Sequence, residues 1–144
     1  MKTRIKWVEG FRFVGSSESG HSLVIDASGD ETPHGKTANS PMQLMLMGVG
    51  GCSAIDVLHI LQKGREDIVD CVVDVEGTRA ETDPKVFTDI HMIYTVTGRN
   101  LKMAKVERAV ELSAEKYCSA SVMMGQVANI TREIKLIELS EDKN

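Results

Sequence analysis

Apolar and polar residues alternate at the start of the chain. Residues 2–7 place Lys or Arg at every even position and Thr, Ile or Trp at every odd one, which is the period-two pattern of a half-buried strand. The basic side chains are expected to face outward. Further strands are predicted at 11–14 and 21–26, separated by the turn-rich segment 15–20. Together the three segments predict a small antiparallel meander.

The least polar stretch of the chain follows a clear helix start signal. Ser40 suits the N-cap, Pro41 suits the first helical position, and Gln43 completes a capping box of the S-x-x-Q type. These signals predict a helix over residues 41–63, with Gly64 as its C-terminal stop. Because its first half is apolar on every face, this helix is expected to be surrounded by protein.

Three glycines interrupt the predicted helix. Gly48, Gly50 and Gly51 each weaken a helix by about 1 kcal/mol relative to Ala, a cost that is usually offset where another backbone comes close. A chain of 144 residues can barely enclose an all-apolar helix by itself. Both features predict a homodimer that buries this helix.

The rest of the chain continues the mixture of strands and helices. Two strands are predicted at 68–78 and 86–97, a helix from the N-cap Asn100 to about Tyr117, a short helix at 119–127, a strand at 130–139 and a frayed tail at 140–144. Each long strand has one apolar face, formed by Val69, Cys71, Val73 and Val75 in the first and by Ile90, Met92, Tyr94 and Val96 in the second. The length of the chain predicts a single domain over residues 1–144.

The composition argues against a nucleic-acid-binding, a membrane-spanning or an exported protein. The chain is 42% apolar and 26% charged, as soluble globular proteins are. With 4% aromatic residues, a net charge of -4 and scattered basic residues, it has no electrostatic footprint for a nucleic acid. The uncharged run is shorter than the ~20 residues that span a bilayer, and no secretory signal is present, so neither a membrane nor export is predicted. Three cysteines are then expected to be reduced thiols in the cytoplasm.

Two cysteines carry the candidate chemistry. Cys52 is flanked by Gly51 and Ser53, so a reactant or a second sulfur could approach it, and Cys118 ends the predicted second helix 66 positions later. Cys71 shares an apolar strand face with valines and is expected to be a small core residue. The pair Cys52 and Cys118 is therefore the candidate site.

Two polar residues follow Cys52 on the same helix face. Asp56 and His59 stand four and seven positions after it. His59 could act as a local cation or base, with Asp56 as its orienting partner. Alternatively, both residues could mark where the helix leaves the core and becomes solvated. Zinc binding by the two cysteines and a histidine is an alternative, but no C-x-x-C or H-x-x-x-H pair is present. No metal or cofactor is predicted.

Two sequence motifs carry a family resemblance. Residues 40–52 (SPMQLMLMGVGGC) and 115–119 (EKYCS) resemble the paired signature of the OsmC/Ohr superfamily, the osmotically inducible and organic hydroperoxide resistance proteins, and within it the YhfA-like branch. The resemblance covers nearly the whole chain. It implies an α+β fold, with two long helices packed on strongly curved antiparallel sheets and two chains intertwined so that the active sites lie at the dimer interface.

The resemblance also implies an activity. By motif, Cys52 would be oxidised by an organic hydroperoxide, and Cys118 would resolve the product as a disulfide that a dithiol reductant reopens. Active peroxidases of the superfamily hold the thiolate with an arginine and a glutamate. The glutamate position, ten before Cys52, is Met42 here, so its neighbour Gln43 and the arginine candidate Arg12 are the possible supporting residues. The alternative is a non-catalytic dimer that binds an apolar ligand or partner, or a redox sensor.

Overall fold

The computed structural model describes residues 1–33 and 35–140, in two compact units, Met1–Met45 and Leu46–Asn144. The first unit contains three strands, β1 (Thr3–Glu9), β2 (Arg12–Ser17) and β3 (Ser22–Asp26), paired antiparallel in the order β1-β2-β3. This confirms the predicted meander. The expectation of a single domain over residues 1–144 stays a prediction.

Strand β1 is exposed along its whole length. Its basic residues face solvent as expected, but Ile5 and Trp7 on the alternate positions are also more than half exposed. Gly15 lies opposite Ile5 in the register, and a Cβ there would come 3.3 Å from the Ile5 Cδ1 atom. The glycine therefore lets the neighbouring side chains close over β2.

Helix α1 has the predicted bounds, Pro41–Lys63. The capping box is formed, because the Ser40 backbone N–H donates to Gln43 Oε1 at 2.9 Å and the Gln43 N–H donates to Ser40 Oγ at 3.3 Å. At the other end the helix stops before Gly64 as predicted, but the residue with left-handed backbone is Arg65, at φ 59°.

The surroundings of α1 differ from the expectation. Val49, Val57 and Leu61 are buried, whereas Met47 and Ile55 are 53% and 70% exposed. The residues that the structure describes therefore leave part of the helix surface exposed. By length and composition alone, α1 would also be long and apolar enough to cross a bilayer.

The second unit is built on a sheet of three strands, β4 (Asp67–Arg79), β5 (Phe87–Arg99) and β6 (Asn129–Glu138), in that order. Strands β4 and β5 are antiparallel, as expected. Strand β6 runs parallel to β5, so the expectation of purely antiparallel sheets was wrong for this pair. The helices between β5 and β6 supply the long crossover that a parallel pair requires.

The sheet provides the core of the second unit. The predicted apolar face of β5 is confirmed, and its four residues Ile90, Met92, Tyr94 and Val96 are fully buried. On β4 the register shifts between Ile68 and Asp70, which leaves Val69 at the bulge and 52% exposed. The prediction that Val69 shares the face of Cys71 was therefore wrong.

The predicted second helix is divided. Helix α2 spans Met103–Leu112, a π-helical turn follows at Ser113–Tyr117, and α3 spans Ser119–Met124. The N-cap is Lys102 rather than Asn100, whose φ of 53° is left-handed and cannot cap a helix in the usual extended conformation. Most of the predicted tail lies outside the described residues.

Candidate functional site

Cys52, Asp56 and Cys118 meet in the second unit. Cys52 and Asp56 are one turn apart on α1, and Cys118 directly precedes α3. The two sulfur atoms and a carboxylate oxygen of Asp56 all lie within 4.8 Å of one another, and Cys118 is buried while the other two are half-buried. The structure therefore brings together the cysteine pair and one of the two polar residues predicted beside it.

The π-helical turn sets the position of Cys118. Its backbone N–H donates to the carbonyl of Ser113, five residues earlier, at 2.8 Å, and this wide turn ends the helix. Cys118 then takes an extended backbone conformation, and its sulfur accepts the Ser121 N–H of α3 at 3.3 Å. A regular helix through Tyr117 would not have made this turn.

Burial governs the electrostatics of Cys118. It raises the pKa of the Cys118 thiol, as do the hydrogen bond and charge of the neighbouring Cys52, while the hydroxyl and backbone N–H of Ser121 oppose that rise. The Ser121 hydroxyl is itself buried, and it has no hydrogen-bond partner within the part of the chain that the structure describes. The Cys118 sulfur thus accepts one hydrogen bond, from the Ser121 N–H, and a rotation of the nearby Ser121 hydroxyl would supply a second donor to the thiolate.

A chain of hydroxyl groups leads from the thiols into the core. Ser113 Oγ donates to Asp56 Oδ2 at 3.2 Å, Ser53 Oγ lies 3.0 Å from Ser113 Oγ, and the Tyr94 hydroxyl lies 2.7 Å from Ser53 Oγ. The Tyr94 hydroxyl, which has a single proton, also donates to Met92 Sδ at 3.6 Å. The Asp56 carboxylate is therefore fixed beside the sulfurs by a hydrogen bond from Ser113, which is itself in contact with Ser53.

The half-buried side chain of Arg132 lies at the far end of this series of hydroxyl groups. Burial raises the pKa of Tyr94, whereas the hydrogen bond with Ser53 and the positive charge of Arg132 on β6 oppose the rise. The Nε atom of Arg132 is buried and has no hydrogen-bond partner among residues 1–33 and 35–140. Arg132 therefore provides positive charge close to the Tyr94 hydroxyl.

Comparison with known proteins identifies the family of this chain. The family model described as OsmC-like protein matches residues 33–133. The protein YhfA of Escherichia coli strain K12 is 51% identical over 138 residues, which cover 95% of this chain and 98% of YhfA. The chain belongs to the OsmC family. The resemblance predicted from the two cysteine motifs is confirmed.

Solved structures show the same fold. A hypothetical protein from Aquifex aeolicus VF5 is 27% identical with a TM-score of 0.84, over 96% of this chain and 97% of that one. The organic hydroperoxide resistance protein OhrB of Bacillus subtilis is 18% identical with a TM-score of 0.64, over 94% and 98% of the two chains. The second likeness shows the fold alone, and with it the α+β class is confirmed.

Two predicted supporting residues have other partners in this OsmC-family chain. Gln43 accepts the Ser40 N–H in the α1 capping box, and Arg12 forms an ion pair with Glu9. Both belong to the first compact unit, whereas Cys52 and Cys118 belong to the second. The capping box predicted at Gln43 is confirmed, and the supporting roles of Gln43 and Arg12 stay predictions.

His59 lies beside the cluster rather than in it. It is exposed and, together with Asp56, Lys63 and Tyr117, lines a cavity of about 490 Å³. Asp56 belongs to both the cavity wall and the thiol cluster. Cys71 is half-buried on β4 and outside the cluster, and burial raises the pKa of its thiol, with the Asp70 carboxylate adding to the effect.

Sequence reasoning missed four residues of this site, namely Ser53, Tyr94, Ser113 and Arg132. A usable signal existed for Ser113, which stands on the buried stripe of α2 with Val106 and Val110. A hydroxyl on such a stripe needs a buried polar partner. No comparable signal marks Arg132, because its neighbourhood depends on the pairing of β6 with β5.

Proposed function

We propose that this OsmC-family protein is a thiol-dependent peroxidase that reduces organic hydroperoxides. The observation that carries the proposal is the placement of the Cys52 and Cys118 sulfur atoms within 4.8 Å of each other. The two cysteines are 66 positions apart in the chain. A protein with reduced cysteines does not need a disulfide to fold, so folding alone gives no reason for the two sulfur atoms to be neighbours.

The reaction uses each cysteine once. The Cys52 thiolate attacks the peroxide oxygen and the O–O bond breaks, so that Cys52 becomes a sulfenic acid and the alkoxide takes up a proton to leave as an alcohol. The Cys118 thiol then displaces hydroxide from the sulfenic acid, and the disulfide forms with release of water. A dithiol reductant supplies two electrons and two protons to restore both thiols.

Asp56 and Ser113 are the proposed positioning residues. Met42 stands where peroxidases of the superfamily have a glutamate, and Asp56 is the carboxylate that lies beside the sulfurs instead. Its Oδ2 atom is held by Ser113, which leaves the other oxygen free to orient a hydroperoxide or a water molecule. In this proposal the Asp56 carboxylate orients the substrate, as the glutamate does in the other peroxidases of the superfamily.

The peroxide is expected to enter through the cavity of about 490 Å³. Ile60 and Leu112 give this cavity apolar walls, and Asp56 belongs both to its wall and to the thiol cluster. An alkyl group would lie against the apolar wall while the O–O bond faces the sulfur. This orientation favours organic hydroperoxides over hydrogen peroxide, which has no apolar group to bury.

We also infer that the protein acts as a homodimer. On α1 the large side chains of Met45, Met47 and Ile55 are each about half exposed or more, and a Cβ on Gly48 or Gly51 would meet nothing within 4 Å. An exposed apolar helix surface that contains glycines is typical of a site where another protein surface packs. A second copy of this chain is the proposed cover, in the cytoplasm and without a nucleic acid or membrane partner.

A second candidate function is the binding of an apolar ligand without catalysis, or redox sensing by the same fold. It is favoured by a cavity of about 300 Å³ in the first unit, lined in part by Ile5, Leu23, Ile25 and Leu44. In the ligand-binding form of this alternative the cysteines would be structural, and the reduced protein would consume no hydroperoxide. In the sensing form the thiols would be oxidised once, without turnover.

A steady-state assay separates the two functions. Purified protein is mixed with cumene hydroperoxide and dithiothreitol, and the loss of hydroperoxide is followed for the wild type and for Cys52→Ser, Cys118→Ser and Cys71→Ser. We expect Cys52→Ser to abolish turnover and Cys71→Ser, a matched removal of a half-buried thiol, to retain it. Equal rates in the wild type and Cys52→Ser would rule out the proposed peroxidase.

A further inference from the structure

The cluster of Cys52, Asp56 and Cys118 has the chemistry of a metal site. Two thiols and a carboxylate are the ligand types that Zn²⁺ binds, and three protein ligands leave the fourth tetrahedral position for water. Because the third ligand is an aspartate on the helix turn after Cys52, the sequence has neither a C-x-x-C nor an H-x-x-x-H signature.

The geometry is close to that of a bound ion. With Zn–S bonds of about 2.3 Å, a tetrahedral zinc ion holds its ligand atoms roughly 3.5–3.8 Å apart. The three atoms already lie within 4.8 Å of one another. Small side-chain rotations, moving each atom by about 1 Å or less, would complete the site.

The groups around the cluster suit metal ligands as well. Ser113 donates to Asp56 Oδ2, which fixes the carboxylate and leaves Oδ1 for a metal. The Ser121 N–H donates to the Cys118 sulfur, and the unpartnered, buried Ser121 hydroxyl lies beside the same sulfur. A metal-bound thiolate is stabilised by such donors.

We propose that the reduced protein binds one Zn²⁺ ion through Cys52, Asp56 and Cys118. Both thiols lose their protons on binding, and the zinc ion occupies the sulfurs that the proposed peroxidase reaction would use. Zinc binding and disulfide formation therefore exclude each other. The inference stands independently of the proposed function, since it requires the cluster but no turnover.

A hydroperoxide would convert one state into the other. The zinc dithiolate plus ROOH and two protons gives the disulfide, free Zn²⁺, the alcohol ROH and water. The two thiolates are oxidised by two electrons, and the peroxide bond is reduced by the same two electrons. Oxidation would thus release the metal.

Cobalt is the direct probe of the site, because Co²⁺ adopts the same tetrahedral geometry and absorbs light. The reduced, chelator-treated protein is titrated with Co²⁺ under nitrogen, and sulfur-to-cobalt charge-transfer and d–d bands are recorded. We expect both bands to saturate at one Co²⁺ per chain and to disappear on addition of Zn²⁺, which such sites bind more tightly than Co²⁺.

Four variants assign the ligands. Cys52→Ser and Cys118→Ser are each expected to lower the charge-transfer band and weaken binding, Asp56→Asn to weaken Co²⁺ binding by about tenfold or more, and Cys71→Ser to leave the titration unchanged. Circular dichroism checks that each variant is folded. Absence of the bands in the wild type, or an unchanged titration in Asp56→Asn, would overturn the three-ligand site.

Alkylation provides a readout that does not depend on colour. Cys52 and Cys71 are both half-buried thiols in the same chain, so iodoacetamide can be used to compare them in one sample. One equivalent of Zn²⁺ is expected to slow the alkylation of Cys52 and to leave that of Cys71 unchanged, as measured by mass spectrometry of the digested protein. Equal rates for Cys52 with and without Zn²⁺ would contradict the site.

Discussion

Cys118 lies beside Cys52, with their sulfur atoms within 4.8 Å, although 66 positions separate them in the chain. Helix α1 carries the first cysteine, and the π-helical turn at Ser113–Tyr117 delivers the second. This proximity would allow the Cys118 thiol to condense with a sulfenic acid formed on Cys52. It also allows the two cysteines to be tested separately.

Replacing Cys118 should leave the first oxidation step and remove the second. In Cys118→Ser, Cys52 sulfenic acid cannot form the disulfide, so it should accumulate after one equivalent of cumene hydroperoxide and progress to sulfinic acid with excess. Dimedone labelling followed by mass spectrometry measures it. Cys71→Ser should form the disulfide as the wild type does. Failure to label Cys52 in Cys118→Ser, while the wild type still consumes peroxide, would contradict the assigned roles.

The hydroxyl chain should make Ser113 important for stability. Ser113→Ala removes the donor to Asp56 and one of the two hydrogen-bond partners of the buried Ser53 hydroxyl, so the unfolding free energy should fall by about 1–3 kcal/mol. Tyr94→Phe removes only the terminal hydroxyl and should cost about 1 kcal/mol. Urea unfolding measures both, with the exposed Ser119→Ala as control. A Ser113→Ala protein as stable as that control would disprove the chain.

The glycines of α1 test the proposed dimer. In an exposed helix, Gly48→Ala and Gly51→Ala should each stabilise the protein by about 1 kcal/mol. If a second copy approaches the helix there, each added methyl group should instead weaken the dimer. We expect the second outcome, seen by analytical ultracentrifugation as dissociation at higher protein concentration than for the wild type.

Gly50→Ala serves as the comparison within the chain. Its Cβ would lie 2.8 Å from Val75 Cγ2, so it should destabilise the fold at every protein concentration. Higher stability of Gly48→Ala and Gly51→Ala, with an unchanged oligomeric state, would count against a dimer contact at these glycines.

Asp26 should make the first unit sensitive to acid. Hydrogen bonds from the side chains and backbones of Ser28 and Thr37 hold the pKa of this carboxyl well below its ordinary value. A lowered pKa in the folded protein means that the stabilisation is complete above the unfolded value of about 3.9 and is lost progressively as the pH falls below it. Stability should therefore decrease steeply from about pH 5 to about pH 2.

The amide variant isolates this contribution. Asp26→Asn cannot ionise, so the stability difference between the wild type and Asp26→Asn should be largest near neutral pH and shrink as the pH falls. Thermal unfolding across the pH range measures the difference, and the exposed Asp30→Asn is the control. A difference that stays constant with pH would show that the carboxylate charge is not involved.

Local signals and long-range pairing differ in how far the sequence reveals them. The bounds of α1 follow from Ser40, Pro41 and Gln43, whose capping contacts involve residues only a few positions apart. The parallel pairing of β6 with β5 depends on a crossover through α2 and α3, which no local pattern specifies. Periodicity could therefore locate β6 but not orient it.

The candidate site divides in the same way. Cys52, Cys118 and Asp56 were proposed from motif and helical spacing, whereas Gln43 and Arg12 have a capping and an ion-pair partner close in sequence, and their supporting roles stay predictions. The π-helical turn escaped prediction, since its i to i+5 hydrogen bond leaves the apolar stripe of α2 unchanged up to Ser113. Tyr94 and Arg132 come close to each other only because β5 and β6 pair in the sheet.

Mass spectrometry of the reduced protein after one equivalent of cumene hydroperoxide is the most direct test of the proposed cysteine pair. The protein is alkylated, digested without reductant and searched for peptides joined through Cys52, Cys71 and Cys118. We expect one disulfide between Cys52 and Cys118, with Cys71 alkylated. Three unmodified thiols alongside unreacted hydroperoxide, or a disulfide that contains Cys71, would contradict the proposed chemistry.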